Sequence, residues 1–266
     1  MLYFVATPIG NLKDVSFRAI EILNLVDEIA CEDTRHSAIF LNHYNIKKPL
    51  FAYHKFNEKE ICEKIVEKLK NGKNLAVISD AGTPVISDPG NVLVKKLIEE
   101  NLEFTIIPGA CALISAYVLS GFSDGKFCFL GFMPQKATER KEFLQKYSTL
   151  DLPLIFYCAP HDIVKDVQSI YEVFGDRQAV AVKEITKIHE KAEHFQLKNG
   201  FSSEPKGEYV LIVDKCEQQN FSNTLGEKEH IEMYLKRGLD KKEALKLVAK
   251  ERGVSKSSLY KWTIED

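Results

Sequence analysis

Residues 75–78, Leu-Ala-Val-Ile, run straight into SDAGTPVISDPG (79–90), and helical spacing follows from Val92 to Ile98. This order, apolar run then loop then helix, recurs through the first half of the chain and constrains its fold more than any other feature. Residues 2–6 are apolar, and Phe17, Ile20 and Leu23 recur at helical spacing behind Asp14, read as the cap. A strand over 26–31, a helix around 39–44 ending near Asn45, and a helix stopping at Gly72 come next. Strands at 75–79 and 104–107 and a helix at 113–119 complete the half. Such alternation implies a mostly parallel sheet covered on both faces. The connection at 79–90 is longer than a strand–helix junction needs. Loops at the carboxyl edge of such sheets are where ligands settle.

The rhythm changes beyond GFSDG (121–125), the expected hinge. Strands at 127–132 and 154–158 are separated by a helix around 139–147. After a helix at 163–174, strands at 179–185, 194–197 and 209–213 follow with no long helix between them. The expectation is a second α/β domain with a mixed sheet: domains 1–122 and 123–216, and a helical extension at 226–266. CEQQNFSNTLGEKEH (216–230) reads as a polar linker. The tail, 231–262, reads as helical throughout. ALKLVAKERGVSKSSLYKW has the cadence of a helix-turn-helix, with Gly253 at the turn and Ser255 as cap. The plainer reading, a small helical lid or dimerisation unit, is preferred, since short helical pairs with a Gly turn are common. The extension carries 10 Lys/Arg against 8 Asp/Glu, too mild a balance to claim a nucleic-acid surface.

Hydrophobic residues make up 45% of the 266, charged residues 28%, and the net charge is −2. No global basic field announces nucleic acid, and no apolar stretch is long enough to suggest a membrane span. The amino terminus lacks a basic n-region and reads as a first strand rather than a signal peptide. Six cysteines, none in a CxxC pair and most within apolar segments, point to buried free thiols in a reducing, cytoplasmic setting.

Some chemistry is excluded by spacing. GFSDGKF lacks the Walker A pattern, and the first strand leads into TPIGN rather than GxGxxG. HEKAEH sets His189 and His194 five apart, roughly 140° on a helix, so no zincin site forms; no metal is expected. Four loops remain: TPIGN (7–11), EDTRH (32–36), 79–90 and PGACA (108–112). In a parallel sheet they gather at one edge. Glycine there lets backbone approach a ligand while proline stiffens the loop. Such a pocket suits a zwitterionic small molecule better than a polyphosphate. EDTRH is either a self-satisfied ion cluster or a site where Arg35 holds a phosphate and His36 or Asp33 handles a proton. YHKFNE raises the same choice for His54 and Asn57.

VATPIGNLKDVSFRAIEIL, EDTRHS, LNHY, YHKFNE, VISDAGTPVISDPG, IPGACALISA and GFMP together resemble the tetrapyrrole-methylase superfamily. More narrowly, they are similar to its ribosomal branch, the small-subunit rRNA methyltransferase I family. The likeness is dense from Met1 to about Phe132, recurs in IFYCAPHDI and AVKEITKIHE, and thins after Leu197. It implies a homodimer that methylates the ribose 2′-oxygen of a cytidine in the decoding region of 16S rRNA. It also implies two α/β domains, with S-adenosylmethionine folded into the cleft between them. On that resemblance the donor contacts are Pro8, Asp80, Gly82, Thr83, Pro84, Ile86, Pro108, Gly109, Cys111 and Ala112, with Phe132, Tyr157 and Glu184 from the second domain. Two departures stand out. Cys158-Ala159-Pro160-His161-Asp162 replaces the usual Glu-Ser-Pro-His-Arg, and Lys183 stands where Arg is preferred.

Methyl transfer from a sulfonium is an in-line displacement, so positioning supplies much of the acceleration, and a base or charge-stabilising group assists the weakly acidic hydroxyl. The candidates are Asp33, His36 and Lys187, with Asp80 behind them. RNA phosphates need only a local patch, for which Arg18, Arg35, Lys136, Arg140 and Lys141 are candidates, joined by His54 and Asn57 as substrate contacts. Two rivals remain open: a superfamily member acting on a small tetrapyrrole, and a nucleic-acid-binding regulator working through the C-terminal helices.

Overall fold

A computed structural model describes residues 1–122, 125–216, 225–236 and 239–263. The centre of the expected hinge and most of the expected linker lie outside them. Residues 1–215 form one compact unit and 216–266 another.

In the larger unit, β1 (Leu2–Val5), β2 (Glu28–Cys31), β3 (Leu50–Ala52), β4 (Leu75–Ile78) and β5 (Phe104–Ile107) make a sheet of order β3-β2-β4-β1-β5. Every pairing in it is parallel. Strand residues alternate faces. Val5, Ile29, Cys31, Ala76 and Ile78 meet Ala19 and Leu23 of α1 (Phe17–Leu25) and Phe40 and Leu41 of α2 (Thr34–His43). Leu2, Phe4, Ala30, Leu75 and Val77 meet Ile65 and Leu69 of α3 (Glu58–Lys70) and Leu93 and Leu97 of α4 (Asn91–Glu99). Burial on both faces explains why these strands read as continuous apolar runs. Because all five strands point one way, the loops after β1, β2, β4 and β5 leave the same edge.

Three local readings are corrected. α1 is capped by Ser16, whose Oγ accepts from the Ala19 N–H at 3.1 Å; Asp14 instead ends a short 3₁₀ turn. β3, three residues behind Pro49, had no periodic signal to reveal it. α2 starts at Thr34, several residues earlier than its apolar spacing suggested, because Asp33 caps it.

The second sheet contains β6 (Cys128–Phe132), β7 (Leu154–Cys158), β8 (Gln178–Lys183), β9 (Lys191–Gln196) and β10 (Tyr209–Val213), in the order β6-β7-β10-β8-β9. Only β6–β7 is parallel; the other pairs are antiparallel. α6 (Ala137–Gln145) and α7 (Ile163–Phe174) cover one face through Leu144, Ile163, Val167 and Ile170. The other face is covered by α5 (Ala112–Ser120), whose Leu113, Ala116 and Tyr117 pack on Ile155, Val180, Val182, Val210 and Ile212. Thus α5 precedes the expected domain boundary in sequence yet lies on the second sheet. His194 stands in β9 and His189 in the preceding connection, so HEKAEH is not helical at all.

The smaller unit contains α8 (Glu227–Lys236), α9 (Lys241–Arg252) and α10 (Lys256–Leu259). Ile231, Leu245, Val248, Ala249 and Leu259 form its core. The tail is not helical throughout. Extended Asp240 caps α9 by accepting from the Glu243 N–H at 2.7 Å, and Gly253, at φ 62°, ends it in the left-handed region. Ser255 then caps α10, giving the turn its sequence suggested. No helix among the described residues is long and apolar enough to cross a membrane.

Candidate active site

A cavity of about 380 Å³ opens among the loops after β1, β4 and β5 and the ends of β6, β7, β8 and β10. That is within the usual range for a small-molecule site. Its first-sheet wall is built from loops tied to one another through main chain. Gly82 exchanges backbone hydrogen bonds with Thr7 at 2.9 and 3.1 Å, tying the β4 loop to the β1 loop. The Thr83 hydroxyl donates to the Ala110 carbonyl at 3.2 Å, tying it to the β5 loop. At the far end Glu58 of α3 accepts from the Gly90 N–H at 2.7 Å. Gly90 sits at φ 138°, and a Cβ there would come within 2.6 Å of Val85 Cγ2. Val85 and Ser87 are themselves in the left-handed region, at φ 75° and 67°. A β-branched residue there is strained, and strain of this kind gathers at functional sites.

The second sheet supplies aromatic and charged walls. Tyr157 packs edge-on against Phe129 and Phe132, with centroids at 4.9 and 5.6 Å. A bulge between Phe129 and Gly131 in β6 precedes Phe132, which is left exposed on the cavity wall. Bulges commonly re-aim a side chain in this way. Burial, with Cys111 and Asp88 nearby, pushes the Tyr157 phenol up to about 12, so it stays neutral. Lys187 bonds Glu184 at 2.9 Å and lies 3.6 Å from Glu208. Burial pulls its ammonium down, but these carboxylates outweigh it and hold it protonated. Burial likewise lifts Glu184, but the Lys187 ammonium and the Glu208 N–H overcome that and keep its carboxyl low. The β1 loop meets this segment directly. Asn11 N–H donates to Thr186 Oγ1 at 2.9 Å, and a Cβ on Gly10 would come within 2.5 Å of Lys187 Cγ.

Asp88 was not singled out in sequence, where it was one polar letter in a turn-rich loop. It lines the cavity. Loss of hydration, then repulsion from Glu32 and Asp80, raises its carboxyl to about 6, against a smaller hydrogen-bonding contribution from Ser79. With Asp80 and Glu184 it makes the lining acidic, with Lys187 as the cation. Such a lining accommodates a cationic small molecule, and Asp88 holds or releases a proton close to neutrality.

Of the donor contacts expected from the resemblance, Asp80, Gly82, Thr83, Ile86, Cys111, Ala112, Phe132, Tyr157 and Glu184 line this cavity. Pro8, Pro84, Pro108 and Gly109 are not in the lining; Gly109 is so close to Ala6 that a Cβ would meet the Ala6 methyl at 2.9 Å. Lys187 is also in the lining, whereas Asp33 and His36 are not. Asp33 caps α2 and grips Arg35 through both oxygens, at 3.3 and 3.0 Å, which holds its carboxyl down at about 2. Asn57 braces a turn, its oxygen accepting from His54 N–H and its amide donating to the Ala52 carbonyl. Half-buried His54 stands near Glu32. Arg18, Arg35 and Lys136 are exposed.

Arg140 corrects the expected phosphate patch. It is 2% exposed, and its guanidinium donates to the carbonyls of Pro134 and Gln135 and to Ser169, 3.8 Å from Asp166. Buried and saturated, it braces α6 against α7 rather than meeting a phosphate. Near it, Asp162 bonds Lys165 and Gln135, so the departure from the family pattern at Asp162 is absorbed locally.

Residues 1–199 match the family model for Tetrapyrrole (Corrin/Porphyrin) Methylases. The chain is 43% identical over 270 residues to a Ribosomal RNA small subunit methyltransferase I of Haemophilus influenzae, covering 98% of this chain and 95% of that protein. Among solved structures, a diphthine synthase superposes with a TM-score of 0.66 at 16% identity, over 80% of this chain and 89% of that one. A Uroporphyrin-III C-methyl transferase from Thermus thermophilus, complexed with S-adenyl homocysteine, superposes with a TM-score of 0.57 at 14% identity, over 80% and 96%. At such identities the structural likeness speaks for the fold alone, whereas the sequence likeness spans nearly both chains end to end. The chain is therefore a tetrapyrrole-methylase fold protein and belongs to the ribosomal RNA small subunit methyltransferase I family.

Proposed function

We propose that this chain transfers a methyl group from S-adenosylmethionine to the ribose 2′-oxygen of a cytidine in the decoding region of 16S rRNA, working as a cytoplasmic homodimer without a metal. The observation that carries the reading is the acidic, loop-walled cavity in a chain that matches rRNA methyltransferases end to end. The donor supplies an electrophilic methyl on a positively charged sulfur. Its fit rests on three features of the lining: main chain at Gly82, Thr83, Cys111 and Ala112 for polar edges, Phe132 and Tyr157 for a planar base, and Asp80 and Asp88 for positive charge. The likeness to a methyltransferase that holds S-adenyl homocysteine supports it. The reading keeps two lobes, 1–122 and 123–216, with α5 carried on the second sheet, and an extension at 226–266.

Methyl transfer forms a carbon–oxygen bond at the ribose, breaks the carbon–sulfur bond and releases the hydroxyl proton. Asp33, low and engaged with Arg35, is a poor acceptor for that proton. Lys187, held protonated, serves instead as a fixed positive charge beside Glu184. Asp88 is a cavity carboxyl whose proton affinity is raised toward working pH, and we assign it the role of base, within the general range of such groups.

The test is to map 2′-O-methylation on 16S rRNA from cells with and without the protein, then to restore it in vitro on purified small subunits and on naked rRNA. The expected result is loss of one cytidine 2′-O-methyl group and its return on adding protein and donor. An unchanged rRNA methylation map would refute the reading, and methylation of a small tetrapyrrole instead would favour the rival within the superfamily.

A further inference from the structure

Three large apolar side chains of residues 1–215 are almost wholly solvated: Ile188 at 97%, Phe56 at 96% and Phe17 at 87%. They come from separate connections. Phe17 opens α1, and Phe56 lies between β3 and α3, both at the carboxyl edge of the parallel sheet. Ile188 follows Lys187 of the cavity, in the connection whose Thr186 is bonded by the β1 loop. One exposed apolar residue needs no explanation, but two phenyl rings held in water on one edge, each with a cation beside it, form a pattern. Arg18 adjoins Phe17 and Lys55 adjoins Phe56; both cations are exposed and make no ion pair among the described residues. On α2, which also starts at this edge, are Arg35, 90% exposed but paired with Asp33, and one turn on Ile39, 68% exposed.

Exposed aromatic faces stack unpaired bases whatever their identity, and neighbouring cations follow the phosphates. A nucleotide modified at its ribose in structured RNA is reached most readily where bases are splayed out of a helix. We propose that Phe17 and Phe56, with Arg18 and Lys55, form a stacking platform that holds a single-stranded RNA segment along the carboxyl edge of the first sheet, beside the cavity. The kind of RNA rests on the rRNA methyltransferase reading above; the platform itself rests on the exposure and charge of these four residues.

The test measures binding of a fluorescent single-stranded oligoribonucleotide with the decoding-region sequence, without donor, to the full chain. Phe17→Ala/Phe56→Ala and Phe17→Leu/Phe56→Leu are expected to weaken binding roughly tenfold or more, while Phe17→Trp/Phe56→Trp stays within about threefold of wild type. Arg18→Gln/Lys55→Gln should flatten the plot of log affinity against log salt by about 1 to 1.5. The positions are exposed, so melting temperatures should hold, and titration with S-adenosylmethionine should give unchanged affinity. Equal RNA affinity in the Ala variant, or Leu holding RNA as well as Trp, would overturn the proposal. So would conversion of a wild-type dimer to monomers by the Ala pair, since the rings would then cover an interface between copies. If wild type binds RNA but not the donor, the methyltransferase reading fails while the platform stands.

Discussion

The loops after β2 and β4 leave the same edge of the same parallel sheet, and they divide the work in the opposite way to their appearance. EDTRH concentrates two carboxylates, an arginine and a histidine in five residues, yet Asp33 and His36 stay outside the cavity. Asp33 is engaged by the helix it caps and by Arg35. The β4 loop looks like punctuation, but it supplies most of one cavity wall and a lining acid, Asp88, raised to about 6. The difference is environment. A carboxylate at an exposed helix start is stabilised as an anion by backbone N–H groups and its own arginine. One that is half-buried beside two other acids is pushed toward its neutral form.

Substitutions sharpen that contrast. The largest effect is expected at Asp88: Asp88→Asn should lower kcat by about 100-fold or more, while Asp33→Asn, which preserves the cap, changes it less than about threefold. Equal losses in a methyl-transfer assay would erase the distinction between the loops. Next comes Gly90→Val. A side chain at φ 138° against Val85 should misplace the β4 loop, weakening donor binding by an order of magnitude and costing about 1–3 kcal/mol in urea unfolding.

The pH dependence follows from the same carboxyl. Asp88 binds its proton more tightly folded than unfolded, so its contribution to stability is present below about pH 4 and is lost as pH rises to about 6. Asp88→Asn should therefore be more stable than wild type at pH 7.5, by about 1 kcal/mol after allowing for solvent screening, and the gap should close near pH 4. Denaturant titrations at the two pH values measure it; a gap that widens in acid would reverse the sign. Smallest is Thr83→Val, which removes the tie to Ala110. Donor affinity should fall about fivefold, the worth of one such hydrogen bond, as read by calorimetry.

These contrasts show where sequence reading reached and where it stopped. The parallel sheet was legible because Leu75–Ile78 and its sister strands are buried on both faces and read as unbroken apolar runs. The mixed sheet was legible because three strands follow one another without a helix. The place of α5 was not, since its side chains are apolar almost all round and do not announce which sheet they meet. The walls of the cavity were visible as loops, because glycine and proline mark where backbone must bend. The raised acid in the β4 loop was not, because its proton affinity comes first from burial and then from Glu32 and Asp80, surroundings that only the folded loops create. Arg140 misled for the converse reason: a basic run near a strand end looks solvent-facing until its carbonyl partners fold around it.

A crystal structure of the full chain grown with S-adenosylmethionine tests the central claim most directly. The donor is expected against the main chain of Gly82 and Thr83 and the rings of Phe132 and Tyr157, with its sulfonium methyl facing Asp88. Donor bound on another surface, or its methyl turned from Asp88 toward Asp33 and His36, would contradict it.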